Sequence, residues 1–199
     1  MILDSPPHSP PPETQPDPIE ERRRLHHEGD ICIIGAGVLG CAAAIAFARQ
    51  GRSVILLEKS LKEPDRIVGE LLQPGGVSAL EKLGIRDCLE DIDAIRVQGY
   101  QVIYYGQPVS IPYPENAVKD ETTRTGKSTR PEGRSFHHGR FIRRLRETAM
   151  KERNITVVET AATDLVKCGY TGQILGVECQ TNGKPDYVRE QKDYFAISC

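Results

Sequence analysis

The feature that most constrains this chain is a glycine-rich turn at residues 35–40, with the pattern G-x-G-x-x-G. The apolar run Ile31–Ile34 precedes the turn and predicts a buried strand. The Ala-rich segment 41–49 follows and has strong helix propensity, and Gly51 is a natural helix stop. The next segment, "SVILLE" (53–58), predicts a second buried strand. This order of strand, turn, helix and strand is typical of the first βαβ unit of a doubly wound α/β sheet.

Each glycine of the turn has a separate physical role in binding a dinucleotide. Gly35 allows a tight turn, Gly37 lets the backbone approach a pyrophosphate, and Gly40 lets the helix and the strand pack closely. The helix N-terminus offers free N–H groups and a partial positive charge to phosphates. Glu58 ends the second strand, where a carboxylate can accept hydrogen bonds from a ribose. The pattern predicts dinucleotide binding and leaves FAD and NAD as alternatives.

Two further segments predict structure between the first βαβ unit and the middle of the chain. Residues 74–85, "PGGVSALEKLGI", predict a short helix that Gly84 stops, with Ala79, Leu80 and Leu83 facing inward. Residues 97–113, "VQGYQVIYYGQPVSIPY", alternate in polarity around a Gly-containing break. This alternation predicts a pair of antiparallel strands.

The second half of the chain predicts one amphipathic helix followed by strands. Residues 139–153 place Phe141, Ile142, Leu145 and Ala149 on one helical stripe, with Arg and Lys residues opposite. Three strands are predicted after this helix, in the segments "ITVVET", "TDLVKC" and "ILGVECQ", with the turn "GYTGQ" joining the last two.

Two polar segments are predicted to lie outside the packed domain. Residues 1–29 hold half of the 14 prolines and end in a charged run, so we expect a disordered tail. Residues 115–134 are polar and predict a mobile loop. Residues 30–199, which include this loop, are predicted to form a Rossmann-like domain.

Composition excludes several classes of function. The chain has 199 residues, of which 38% are hydrophobic and 27% charged, with a formal charge of −2, and this fits one soluble domain or most of one. Near-neutral charge gives no reason to expect nucleic acid as a partner. No apolar run approaches the length of a membrane-spanning helix. The six cysteines have no C-x-x-C spacing, and the adjacent His137 and His138 point to different faces, so we expect no metal site.

Four longer motifs together resemble the squalene monooxygenase (squalene epoxidase) family in its fungal form. They are "DICIIGAGVLG", "EPDRIVGELLQPGG" (63–76), "VQGYQVIYY" and "GRSFHHGRFIRRLR" (133–146), and the resemblance covers about residues 30 to 196. It implies an FAD-binding domain of the flavoprotein monooxygenase type. It also implies squalene as substrate, NADPH supplied through NADPH–cytochrome P450 reductase, and a location on the cytosolic face of the endoplasmic reticulum membrane.

The resemblance also implies roles for individual residues. Val38 and Leu39 would contact the FAD pyrophosphate through their backbone, and Glu58 and Lys59 would bracket the adenosine ribose. The residues expected to line the rest of the cofactor are Arg66, Leu71 and Arg140. The residues expected to form a polar pair near flavin and substrate, and therefore to serve catalysis, are Gln73 and Tyr100.

The chemistry of these side chains is compatible with those roles, and each has an alternative. A guanidinium such as that of Arg66 or Arg140 can bind phosphate oxygens or stabilise an anionic flavin. The alternative for Arg66 is a place at the surface of a turn. Tyr100 and Gln73 can share a hydrogen bond, whereas Tyr100 can also fill a core edge and Gln73 can cap the helix that follows it.

Three functional hypotheses follow. The first is squalene epoxidation, and the second is hydroxylation of another substrate by an FAD-dependent enzyme. The third is a noncatalytic dinucleotide-binding fragment. Because the family's later Gly-Asp motif, substrate sheet and C-terminal membrane helices are not found in these 199 residues, we expect a truncated FAD-binding domain that is inactive and poorly stable by itself.

Overall fold

The computed structural model describes residues 28–67, 69–115, 130–181, 183–190 and 196–198. The helices are α1 (Val38–Arg49), α2 (Pro74–Lys82) and α3 (His138–Lys151), with a short 3₁₀ helix at Arg86–Leu89. The strands are β1 (Glu28–Gly29), β2 (Ile31–Ile34), β3 (Val54–Glu58), β4 (Leu71–Leu72), β5 (Ile95–Val97), β6 (Gly99–Tyr104), β7 (Gln107–Pro112), β8 (Gly133–Ser135), β9 (Ile155–Glu159), β10 (Ala161–Lys167), β11 (Ile174–Thr181), β12 (Lys184–Glu190) and β13 (Ala196–Ser198).

A parallel sheet forms the centre of the fold, with the strand order β13-β2-β3-β9. β2 and β3 pair in parallel from Ile31 opposite Val54 to Ile34 opposite Leu57. α1 makes the crossover between them, as the sequence pattern predicts. This confirms the βαβ unit and the α/β fold class.

The central strands are buried on both faces of the sheet, because a different layer of the structure covers each face. Side chains alternate along a strand, so Ile33 and Leu56 face the helices while Ile55 and Leu57 face the opposite side. The helical layer contributes the large buried side chains of α1, α3 and the 3₁₀ helix, and the opposite layer contributes Val177 of β11. This double cover explains why β2 and β3 have nearly continuous apolar sequences.

The glycine turn brings α1 directly against the end of β2. Gly35 has φ +100°, and its N–H donates a hydrogen bond to the Leu57 carbonyl at 2.7 Å. A Cβ on Gly40 would overlap the Gly35 carbonyl oxygen, so only glycine permits this approach. A Cβ on Gly37, in contrast, would meet no described atom within 4 Å. Gly40 is therefore a packing residue, whereas Gly37 faces open space.

Three further sheets, of which one is mixed and two are antiparallel, complete the described part of the chain. β10, β11 and β12 pair in succession, with β1 parallel to β12 at the edge. β8 lies between β4 and β5 in a small sheet, and β6 and β7 form the predicted hairpin. Both hairpin strands are exposed along almost their whole length.

Several boundaries differ from the sequence predictions. Glu28–Gly29 forms β1 rather than part of the predicted 1–29 tail, because Gly29 is buried against Ile55. Residues 133–134 lie in β8 rather than in the predicted 115–134 loop, and Arg134 there is buried. Residues 1–27 and 116–129 of these two predictions lie outside the described residues.

The buried face of α2 also differs from its prediction. The helix begins at Pro74 and ends just before Gly84, as expected. Ala79 is exposed, whereas Val77 and Leu80 are the buried residues of the helix. Positions 77 and 80 are one turn apart and share a face, which leaves position 79 on the outer side.

Within the described ranges, no helix is both long enough and apolar enough to cross a bilayer.

We expect the substitution Gly40→Ala to destabilise the fold by about 3 kcal/mol, because the added methyl group overlaps a backbone oxygen that cannot move away independently. Urea denaturation followed by circular dichroism measures this change. The matched control is Gly37→Ala, whose methyl group enters open space, and its free energy of unfolding should stay within about 0.5 kcal/mol of the parent chain. Equal effects of the two substitutions would contradict the packing role of Gly40.

Candidate functional site

A cleft of about 660 Å³ lies at the carboxyl ends of β2 and β3. This is where ligands bind in open α/β sheets, and the volume is within the usual range for ligand sites. The predicted site residues that line it are Gly35, Gly37, Val38, Leu39, Glu58, Lys59 and Arg66. Gly40 does not line the cleft and is the buried packing contact described above. The structure thus brings together most of the predicted dinucleotide site.

The floor of the cleft includes the N-terminus of α1. Gly37 is its N-cap, and the first bond within the helix runs from the Cys41 N–H to the Gly37 carbonyl at 3.0 Å. The N–H groups of Val38 and Leu39 precede that bond and are not used inside the helix. The first turn contains no acidic residue. An anion placed here would meet N–H donors and the positive end of the helix dipole.

Glu58 is held at the end of β3 by three donors. Its Oε2 accepts a hydrogen bond from the Ala36 N–H at 2.8 Å and lies 3.2 Å from Nη2 of Arg146. Its Oε1 accepts a hydrogen bond from the Ser60 N–H at 3.2 Å. The carboxylate therefore fixes the glycine turn and the β3 exit in one geometry. Each carboxylate oxygen has further acceptor capacity that a ribose hydroxyl can use.

Arg146 of α3 is a site residue that the sequence prediction missed. It is 7% exposed and lines the cleft, although the prediction placed the Arg and Lys residues of this helix opposite the buried stripe. Arg146 lies one helical turn after Ile142 and three residues before Ala149, so the helical period places it on that stripe. The helical period alone was therefore a signal that could have found it.

The rim of the cleft carries exposed cations. Lys59 and Arg66 are both exposed and both line the cleft. Within the described residues, Arg66 takes part in no ion pair, so its guanidinium is available to a bound anion. His138, at the start of α3, lines the same rim.

Gln73 and Tyr100 do lie together, but away from the cleft. The Gln73 amide Nε2 donates a hydrogen bond to the Tyr100 hydroxyl, and the Tyr113 hydroxyl donates to Gln73 Oε1 at 2.8 Å. The two tyrosine rings meet edge to face with centroids 5.6 Å apart. Gln73 is the N-cap residue of α2, but its side chain makes no capping bond. The polar-pair prediction therefore describes its side chain better than the capping alternative does.

Tyr113 extends this pair to a cluster that we call the Gln73 triad, consisting of Gln73, Tyr100 and Tyr113. Burial raises the pKa of the Tyr113 hydroxyl, and the neighbouring Tyr100 adds to that shift. The ring is 8% exposed, whereas Tyr100 is 44% exposed. Sequence analysis missed Tyr113 because it ends the hairpin segment, where alternation alone gives no information about a partner.

Leu71 and Arg140 do not line the cleft. Leu71 lies half-exposed in β4, opposite Ser135 of β8. The Arg140 guanidinium forms an ion pair with Asp93. Arg143 on the same helix pairs with Glu63 at 2.9 Å and with Glu147 at 2.6 Å. These hydrogen bonds lower the pKa of Glu147 and raise that of Arg143, so these charges on the Arg-rich helix are compensated within the chain.

Comparison with known proteins agrees with this geometry. A family model described as FAD dependent oxidoreductase matches residues 30–190. The squalene epoxidase erg1 of Aspergillus fumigatus is 65% identical over 163 residues, which are 82% of this chain and 32% of that protein. The squalene epoxidase ERG1 of Gibberella zeae is 51% identical over 183 residues, or 87% of this chain and 36% of that protein. The chain thus spans about a third of the length of these curated relatives.

Solved structures resemble the fold at lower identity. A flavoprotein/dehydrogenase from Cytophaga hutchinsonii matches with a TM-score of 0.68 at 20% identity, over 86% of this chain and 38% of its own. The flavin-dependent brominase Bmp2 matches with a TM-score of 0.66 at 20% identity, over 86% and 37% of the two chains. At this identity the likeness concerns the fold, and it confirms the predicted flavoprotein type of α/β domain.

We expect Glu58→Gln to destabilise the fold by about 1–3 kcal/mol and to weaken dinucleotide binding. Ala36 N–H, Ser60 N–H and Arg146 all donate to this side chain, so the amide NH₂ of glutamine must face at least one donor. Urea denaturation measures the first effect and ligand titration the second. Glu90→Gln, at an exposed carboxylate outside the cleft, is the matched control and should change neither. Unchanged stability of Glu58→Gln would show that the three donors do not constrain the carboxylate.

Proposed function

The chain belongs to the FAD dependent oxidoreductase family, and from this premise we propose that it forms the dinucleotide-binding part of an FAD-dependent squalene epoxidase. The observation that carries the proposal is the junction of the glycine turn with Glu58 in one cleft. The 65% identity to the Aspergillus fumigatus squalene epoxidase supports the substrate assignment. The match extends over 163 residues, or 82% of this chain, so it is not confined to the glycine turn.

The residues of the cleft fit an FAD dinucleotide. The open space at Gly37 is a cradle that a Cβ would enter, and the unused N–H groups of Val38 and Leu39 border it. A pyrophosphate needs this combination of close backbone approach and N–H donors. Glu58 would accept hydrogen bonds from the adenosine ribose, and Lys59 would lie on the other side of that ribose.

Arg66, Leu71 and Arg140 are proposed to contact the remainder of FAD. Arg66 has the more direct support, because its guanidinium lies on the cleft rim and forms no ion pair with another described residue. Leu71 and Arg140 lie outside the cleft, and their proposed roles depend on the family motifs in which they stand. Arg140 would exchange its ion pair with Asp93 for contact with the cofactor.

The Gln73 triad is proposed to border flavin and substrate. Two tyrosine hydroxyls hold the Gln73 amide, so its orientation is fixed before any ligand arrives. The triad adjoins the apolar face of the β6–β7 hairpin, where Tyr100 lies beside Val102 and opposite Ile111. A fixed polar group at the end of an apolar surface is suited to orient a hydrocarbon substrate.

We propose that the whole protein transfers one oxygen atom of dioxygen to squalene, giving 2,3-epoxysqualene. Bound FAD would supply the redox chemistry that activates dioxygen, and the chain's own residues would bind and orient it. We also propose NADPH–cytochrome P450 reductase as the source of electrons, and the cytosolic face of the endoplasmic reticulum membrane as the location. These two assignments derive from the resemblance to squalene epoxidases.

We expect the chain to bind FAD in a 1:1 complex, and Arg66→Ala to weaken that complex about tenfold through loss of an ionic contact. Quenching of flavin fluorescence during titration measures both. Lys82→Ala removes one positive charge from the exposed end of α2, outside the cleft, and should leave FAD affinity unchanged. Equal affinity of Arg66→Ala and the parent chain would remove Arg66 from the site.

A chimera tests the substrate assignment. Residues 30–190 of this chain would replace the matching segment of the Aspergillus fumigatus squalene epoxidase, and the product would be assayed with FAD, NADPH and reductase. We expect 2,3-epoxysqualene at a rate within about tenfold of the parent enzyme, because the exchanged segment carries the proposed cofactor contacts. A folded chimera that binds FAD and makes no epoxide would contradict squalene epoxidation while leaving FAD binding intact.

A further inference from the structure

We propose that Arg146 is a positioning residue for the adenosine end of the dinucleotide, acting through Glu58; this inference rests on the FAD-binding function proposed above. Arg146 is buried in α3, yet it lies at the cleft wall. A buried guanidinium requires compensation for the water that it has lost, so its partners reveal what its position maintains.

The partners of Arg146 belong to two separate loops. Its Nε donates to the Ala36 carbonyl in the glycine turn at 2.9 Å. Its Nη1 donates to the Ser60 and Lys62 carbonyls after β3, at 3.0 and 3.1 Å. α3 thereby joins two loops that both contribute residues to the cleft, and Arg146 links them through these hydrogen bonds.

The fourth contact of Arg146 reaches the ligand-facing carboxylate itself. Nη2 lies 3.2 Å from Oε2 of Glu58, the same oxygen that accepts the Ala36 N–H. The ion pair therefore holds one oxygen of Glu58 toward the protein. The other oxygen accepts only the Ser60 N–H among the described hydrogen bonds and retains capacity for a ribose hydroxyl.

Lysine cannot reproduce this arrangement. The guanidinium presents five N–H donors in a rigid plane, and here its three nitrogens contact four acceptors in three directions. A lysine ammonium is a single nitrogen with three donors, so it can keep the positive charge while losing at least one loop contact. Arg146→Lys thus keeps the positive charge beside Glu58 but removes part of the hydrogen bonding that orients the two loops.

The test compares ADP with 2′-deoxy-ADP as competitors for FAD on the 199-residue chain. The two nucleotides differ only in the ribose 2′-hydroxyl, from which Glu58 would accept a hydrogen bond. We expect the parent chain to prefer ADP by about tenfold, the usual effect of one hydrogen bond to a charged group. Arg146→Lys should reduce this preference to less than about threefold and weaken FAD binding about tenfold.

Two further variants make the result specific. Glu58→Gln should also reduce the preference, and the double variant should be no worse than Glu58→Gln, since both changes remove one function. Arg49→Lys is the matched control: Arg49 likewise joins two elements, through Glu152 at 2.8 Å and the Leu83 carbonyl at 2.5 Å, but lies outside the cleft. It should lower the melting temperature without changing the preference for ADP.

The outcomes separate the two levels of the hypothesis. A parent chain that binds neither FAD nor ADP would contradict the proposed function. A parent chain that prefers ADP, with Arg146→Lys showing the same preference, would overturn the positioning role alone. Arg146→Gln is a second substitution at the same position. If neither Arg146→Lys nor Arg146→Gln folds at 25 °C, Arg146 has a purely structural role and the inference is overturned.

Discussion

The contact between Gly40 and the Gly35 carbonyl is the constraint on which the rest of the structure depends. It allows α1 to begin directly at the end of β2, with no side chain between helix and strand. The helix N-terminus then points into the crevice above the parallel sheet rather than away from it. The same contact seats α1 on the sheet, so that its buried residues Cys41, Ala44 and Ile45 reach the core. The packing of α1 on the sheet and the position of its N-terminus in the cleft thus both depend on the absence of a Cβ at Gly40.

A second constraint is electrostatic and operates beside the first. Glu58 and Arg146 are both withdrawn from water, and the mutual attraction of such a pair seldom repays the desolvation of both charges. Here backbone groups from two loops supply the additional hydrogen bonds that compensate the loss. The ion pair therefore fixes the positions of Glu58 and of the two loops, and its net contribution to the free energy of unfolding is expected to be small. The exposed pairs of α3, such as Arg143 with Glu63, have much weaker effects because water and salt screen them.

The sequence predicted the parts of the site that are local in the chain. Strand, glycine turn, helix and Glu58 follow one another within one βαβ unit, so spacing alone determines where they meet. Arg146 was missed because it comes from a distant helix, and because a charged residue was assigned to the solvent face before the helical period was applied to it. Tyr113 was missed for a similar reason: its partner Gln73 is 40 residues away in sequence. Ala79 was assigned to the wrong face because it is apolar, whereas the helical period places the buried face at Val77 and Leu80.

The stretch 63–76 connects the cleft to the Gln73 triad. Its first residues, Glu63 to Arg66, line the cleft rim, and Gln73 lies in the triad. Between them, β4 adds a short edge to β8, and β8 leads directly into the start of α3 at the cleft. A segment that passes in succession through a charged rim, a sheet edge and the Gln73 amide has no single periodicity. Its residues therefore lie both at the cleft and beside the exposed apolar hairpin, the two places where cofactor and substrate are proposed to bind.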